Sequence, residues 1–147
     1  MIVHARLEDA RLEPAPIRPE WVMEGQPLAR SAELSRSPDG TALTALWDCT
    51  AGTFNWFFAG DETVHILEGE VLVSGDDGVR TLKAGDVALF PAGTWSTWRV
   101  PQYVKKVAFC RDPLPKPVLK FVGAVRAVKR RLKGGAAAPG GLVPASA

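Results

Sequence analysis

The chain has 147 residues, 46% of them hydrophobic, enough to bury one proper core and too few to suggest two. No apolar run approaches the roughly 18 residues a membrane-spanning helix requires. The first 16 residues intersperse His4, Arg6, Glu8, Asp9, Arg11 and Glu13 among apolar positions, so they lack the apolar centre of a secretory signal, and a cytoplasmic protein is the simplest expectation.

The net charge of +2 hides an asymmetry. Seven of the 18 basic residues lie between Lys116 and Lys133, and no acidic residue follows Asp112. The part before them carries 11 basic against 16 acidic residues, a net of −5.

Residues 1–33 carry Pro14, Pro16 and Pro19, which rule out a long helix and predict an irregular, extended arm that pairs with a sheet edge, its own or a partner's. From Leu34 onward the chain reads as short strands between turns. Ser37-Pro38-Asp39-Gly40 is a type I turn signal, followed by a strand over Thr41 to Asp48. Gly52 precedes Thr53 to Phe58, and Ala59-Gly60-Asp61 precedes Glu62 to Leu67. Glu68-Gly69 interrupts the chain before Val71 to Ser74, and Gly75-Asp76-Asp77-Gly78 reads as a hairpin into Val79 to Leu82. Lys83-Ala84-Gly85-Asp86 leads to Val87 to Phe90, Pro91-Ala92-Gly93 to Thr94 to Val100, and Tyr103 to Cys110 completes the series. About eight short strands with no helical periodicity between them predict an all-β, antiparallel barrel or double sheet over residues 34–112.

Asp112-Pro113-Leu114-Pro115-Lys116-Pro117 is a stiff connector. Val118, Phe121, Val122, Val125, Val128 and Leu132 then recur at helical spacing, with Lys120, Arg126, Lys129, Arg130, Arg131 and Lys133 largely on the other side, so residues 113–133 read as connector plus basic amphipathic helix. Residues 134–147, rich in Ala, Gly and Pro, are expected to be disordered. There is no internal repeat.

Two stretches carry a family resemblance. Asp61-Glu62-Thr63-Val64-His65-Ile66-Leu67-Glu68-Gly69, then Lys83-Ala84-Gly85-Asp86-Val87-Ala88-Leu89-Phe90-Pro91-Ala92-Gly93, resemble the two motifs of the cupin superfamily. Glu62 precedes Gly69, and Gly85 precedes Pro91-Ala92-Gly93, at the family's spacings and in its order. The chain is most similar to small single-domain cupins such as the cupin domains of (S)-ureidoglycine aminohydrolase and EutQ. Those share a strand like Leu46-Trp47-Asp48-Cys49-Thr50, a tryptophan such as Trp98 and a lysine such as Lys106. The resemblance covers approximately Glu33 to Arg111 and implies an RmlC-like cupin jelly-roll β-barrel, commonly a homodimer, with the N-terminal arm a candidate to cross to the partner.

Metal-binding cupins place an H-x-H pair just before the glutamate and a third histidine after the second motif's glycine. Carried over, those positions hold Trp56, Phe58 and Ser96, none of which coordinates a divalent metal as imidazole does. Strand parity puts Glu62, Val64 and Ile66 on one face and His65 on the other, so His65 is no replacement, and His4 lies in the irregular arm. The expectation is no resident cofactor, with a weak divalent metal held at Glu62 through water as the remaining alternative.

The same parity lines the barrel with Trp47, Trp56, Phe58 and Trp98, and leaves Glu62, Ser96 and, by the resemblance, Lys106 as its polar groups. A buried carboxylate and ammonium are costly unless they meet, so Glu62 and Lys106 are expected to pair. One reading is a metal-free pocket for an unidentified small polar or aromatic molecule; its structural alternative is that the aromatics simply plug the barrel. A second is an isomerase, hydrolase or dioxygenase type of enzyme using Glu62 and Lys106 as acid and base, or a weak metal. A third is an interaction protein whose basic helix, Arg126 to Lys133, meets an anionic membrane surface or nucleic acid, although such faces are usually just solvated and no nucleic-acid motif accompanies it. Cys49 and Cys110, far apart in sequence and without a partner motif, read as free buried thiols.

Overall fold

A computed structural model describes residues 1–132, which divide into two units after Pro113. The tail expected to be disordered, and Lys133 at the end of the expected helix, lie outside the described residues. The first unit holds eight strands, β1 (Glu13–Pro14), β2 (Val22–Gly25), β3 (Ala29–Arg36), β4 (Ala42–Phe58), β5 (Asp61–Gly75), β6 (Gly78–Lys83), β7 (Val87–Phe90) and β8 (Thr94–Arg111). Every pairing is antiparallel.

The strands are longer than the turn residues suggest. Ala42 to Asp48 and Thr53 to Phe58 belong to one strand, β4; the two stretches on either side of Glu68-Gly69 are both β5; and Thr94 to Val100 continues into Tyr103 to Cys110 as β8. What reads as breaks are bulges. The β4–β8 register shifts between Thr50 and Gly52, and the β5–β8 register shifts between Ile66 and Glu68 and again between Gly69 and Leu72. An extra residue on one strand bends it and increases its twist without ending it.

These bends produce the jelly roll. The first half of β4 pairs with β3 and the last half of β8, which continues through the first half of β5 to β7. The second half of β4 pairs with β2 and the first half of β8, which continues through the second half of β5 to β6. Two rows of strands thus share three bent members, and the core between them draws on both: Cys49, Val64, Ile66 and Val104 from one, Phe54, Val71, Trp98 and Val100 from the other.

The N-terminal arm is part of this sheet. Glu13 and Pro14 pair with Arg30 and Ser31 on β3, Val22 and Gly25 pair with β4, and Ile17 packs into the core. The sheet therefore begins well before Leu34, and the arm pairs along its own chain's edge.

Leu46, Asp48 and Val107 are buried on the opposite face from Trp47 and Lys106. Asp48 is 1% exposed and accepts two hydrogen bonds from Arg30, Nε at 3.0 Å and a terminal nitrogen at 2.5 Å, and a third from the Tyr103 hydroxyl at 2.8 Å. Burial alone would raise its pKa, but the hydrogen bonds from Arg30 and Tyr103 and the Arg30 charge outweigh burial and hold it below the usual carboxylate range. Stability from Asp48 is therefore complete above about pH 5 and is lost as pH falls through the depressed native value. Asp48→Asn should cost about 2 kcal/mol at pH 7 and progressively less below about pH 4, read from urea midpoints across that range. An equal deficit at every pH would show that the carboxylate charge is not what Arg30 and Tyr103 hold.

The second unit contains one helix, α1 (Lys116–Leu132), which has no acidic residue in its first turn, Lys129, Arg130 and Arg131 in its last, and no buried residue.

Candidate functional site

Parity along β4, β5 and β8 decides which side chains meet between the rows. Trp47 lies opposite Lys106, Phe54 opposite Trp98, and Glu62 opposite Cys110. Val64 and Ile66 are fully buried, so the Glu62 face of β5 is the inward one. His65, between Val87 and Val107 in register, points the other way, as its position in the strand predicts.

These residues surround a cavity of about 480 Å³, walled by Trp47, Phe54, Trp56 and Trp98 and carrying Glu62 and Lys106 as its central charged groups. Lys106 is 5% exposed. Its ammonium donates to Glu62 Oε1 and lies over two indoles, 4.9 Å from the Trp47 ring centre and 4.7 Å from that of Trp98. Lys106 and Glu62 belong to register rows two pairs apart on the inward face, and the intervening row pairs Val64 with Ala108, whose methyl leaves space for the lysine stem. Two indole faces and a carboxylate stabilise an ammonium in a site where water does so poorly.

The aromatic wall is continuous. Trp47 meets Phe54, Trp56 and Trp98 edge to face at 6.1 to 6.4 Å between ring centres, and Phe54 stacks on Trp98 at 6.4 Å. Among the described residues, the Trp98 indole N–H is the one buried side-chain polar atom without a hydrogen-bond partner. A donor left unmade in this way normally costs about 1–3 kcal/mol.

Five of the seven expected pocket residues therefore converge: Trp47, Trp56, Glu62, Trp98 and Lys106. Phe58 and Ser96 do not line this cavity. Phe58 stacks flat on Phe90 at 4.5 Å as ordinary core, and the Ser96 hydroxyl donates to the Ser74 carbonyl at 3.0 Å, facing β5 in the other row. Both share a face with true lining residues, but they stand near strand ends, where neighbouring chain fills the space. The arm adds Ala15, Pro16, Ser31 and Glu33 to the lining, which no periodicity in a proline-rich segment could signal. A larger and more polar depression of about 870 Å³ runs along the N-terminal segment past His4, Arg6 and Arg11; it lacks the apolar walls and convergent polar groups of a ligand site.

A divalent metal of the kind cupins bind does not fit here. The positions of the three histidines are an indole on the cavity wall, a stacked phenyl ring and a hydroxyl bonded to backbone, and Glu62 is engaged by Lys106. Among the described residues, no group of three or more His, Cys, Asp or Glu side chains is placed to hold an ion. Cys49 and Cys110 are both free. Burial pushes their thiols up, to about 12 and about 11, so neither is a ready nucleophile.

A model of the EutQ-like cupin domain matches residues 36–108, the segment that holds both motifs and the Glu62–Lys106 pair. Among solved structures, a protein assigned as ethanolamine utilisation protein Q from Salmonella typhimurium is 25% identical, with a TM-score of 0.52 over 57% of this chain and 69% of that one. A protein of unknown function from Pseudomonas syringae is 26% identical, with a TM-score of 0.64 over 69% of this chain and 45% of that one. A protein assigned as an oxalate decarboxylase from Thermotoga maritima shares the fold at 19% identity, with a TM-score of 0.58 over 77% of this chain and all of that one. No curated protein matches the sequence. With its two motifs, its bent strands and these relatives, the chain belongs to the cupin superfamily and is similar to EutQ.

Proposed function

We propose that the barrel binds a small molecule without a metal, holding its apolar or aromatic body against the tryptophans and its polar end at the Glu62–Lys106 pair. The observation that carries this is the Lys106 ammonium beside Trp47 and Trp98 and bonded to Glu62, at a cavity whose other walls are mainly apolar. Convergent polar groups in an apolar cavity of this size are the usual form of a ligand site, whereas a plugged barrel would leave no such volume.

The tryptophans make the test direct. Small carboxylates, amides and heteroaromatic compounds are titrated against intrinsic fluorescence and thermal stability, and at least one is expected to quench the signal and raise the melting temperature. Its affinity should fall by about tenfold or more in Glu62→Gln, because an ionised hydrogen-bonding partner contributes roughly 1.5–3 kcal/mol. Binding that is unchanged in both Glu62→Gln and Trp56→Ala would remove the cavity from consideration. Roughly one tightly held transition metal per purified chain would overturn the metal-independent part of the reading.

A further inference from the structure

The barrel accounts for none of the basic residues of α1. Over Lys116–Leu132 the helix carries six cationic side chains and no acidic one, while the first unit is net acidic. Its apolar residues Val118, Phe121, Val125, Val128 and Leu132 alternate at spacings of three and four, which places them along one side. Among the described residues of its own unit nothing packs against that side, and the helix has no buried residue. The helix also contains four β-branched valines and Gly123, a composition of weak intrinsic helicity that ordinarily depends on packing of its apolar face.

We propose that α1 is an interfacial anchor that lays its apolar side into the surface of an anionic phospholipid membrane, with Lys120, Arg126, Arg130 and Arg131 at the headgroups. The chemistry selects this occupant over the others. The three-four spacing also suits a helix pair with a second copy, but two such helices would bring up to twelve cations together with no acidic residue to offset them. Nucleic acid would neutralise the cations and leave Phe121, Val125 and Leu132 in water. A bilayer with anionic lipid takes both faces at once. Lys129, on the flank of the apolar stripe, can extend its stem along it and keep its ammonium at the headgroups. Among the described residues no helix is long and apolar enough to cross a membrane, so α1 lies on the surface.

The full chain is tested by co-sedimentation with vesicles of phosphatidylcholine containing about one third phosphatidylglycerol, against pure phosphatidylcholine. Binding to the anionic vesicles alone, weakened by salt, is expected. Each basic residue near such a surface is worth roughly fivefold in affinity, so Arg130→Gln with Arg131→Gln should weaken binding by more than about tenfold. Phe121→Asp with Val125→Asp should abolish it while leaving the melting of the barrel unchanged. Equal sedimentation with neutral vesicles, or binding that survives Phe121→Asp with Val125→Asp, overturns the proposal. So does a dimer in sedimentation equilibrium that the same pair of substitutions dissolves, or tight binding of a polynucleotide that they leave intact.

Discussion

Lys106→Met should destabilise the barrel by about 3–5 kcal/mol, because it leaves the Glu62 carboxylate, 14% exposed, in an apolar cavity with no counter-charge. For a domain of this size that corresponds to a fall of roughly 10–20 °C in melting temperature. Methionine fills nearly the volume of the lysine stem, so cavity formation contributes little, and the cost is mainly electrostatic. The lost contacts with Trp47 and Trp98 add about 0.5–1 kcal/mol each. Glu62→Gln in the same chain removes the stranded charge, and the double variant should recover all but the roughly 1–2 kcal/mol of the cation–aromatic contacts. Thermal melts of the two single variants and the double variant decide it. If Lys106→Met melts within a degree or two of the parent, the pair carries no net weight, and the double variant then has nothing to recover.

The same pair shows what a sequence can reveal about a site. Glu62 and Lys106 are 44 residues apart, and nothing local brings them together. Their pairing was legible because alternation fixes the inward face that carries Glu62, the family resemblance points to Lys106, and a buried charge demands a partner. Parity identified Trp47, Trp56 and Trp98 for the same reason. It failed at Phe58 and Ser96, since it names a face but not a depth along the strand, and neighbouring chain occupies the barrel there. The longer error concerned strand length. Gly52 and Glu68-Gly69 have the composition of turns, and only register separates a turn from a bulge. The arm was readable as extended, yet its partner was not, because Pro14 and Pro16 give a strand edge no hydrophobic period to match.

Gly69→Ala is expected to have the other large effect, about 3–5 kcal/mol of lost stability or failure to accumulate folded protein. Gly69 has φ of +72°, and a Cβ there would stand 1.9 Å from the Tyr103 carbonyl oxygen. The positive φ alone costs an alanine roughly 1–2 kcal/mol. Gly40, in the turn before β4, isolates that cost: its φ is +74°, with nothing within 4 Å of the added methyl. Gly40→Ala should therefore lose about 1–2 kcal/mol and no more. At Gly69 the obstacle is backbone, and that backbone cannot easily give way. Tyr103 is paired with Thr50 on β4, Val104 with Gly69 itself, and the Tyr103 hydroxyl is bonded to buried Asp48. Moving β8 would disturb both rows of strands where β5 passes from one to the other, which is why forced overpacking is added to the conformational cost. Denaturant midpoints of the two variants measure the difference directly. Equal losses at Gly40 and Gly69 would mean that the glycine serves only its dihedral angle, and that the close passage of β5 and β8 at the bulge contributes nothing to the specification of the fold.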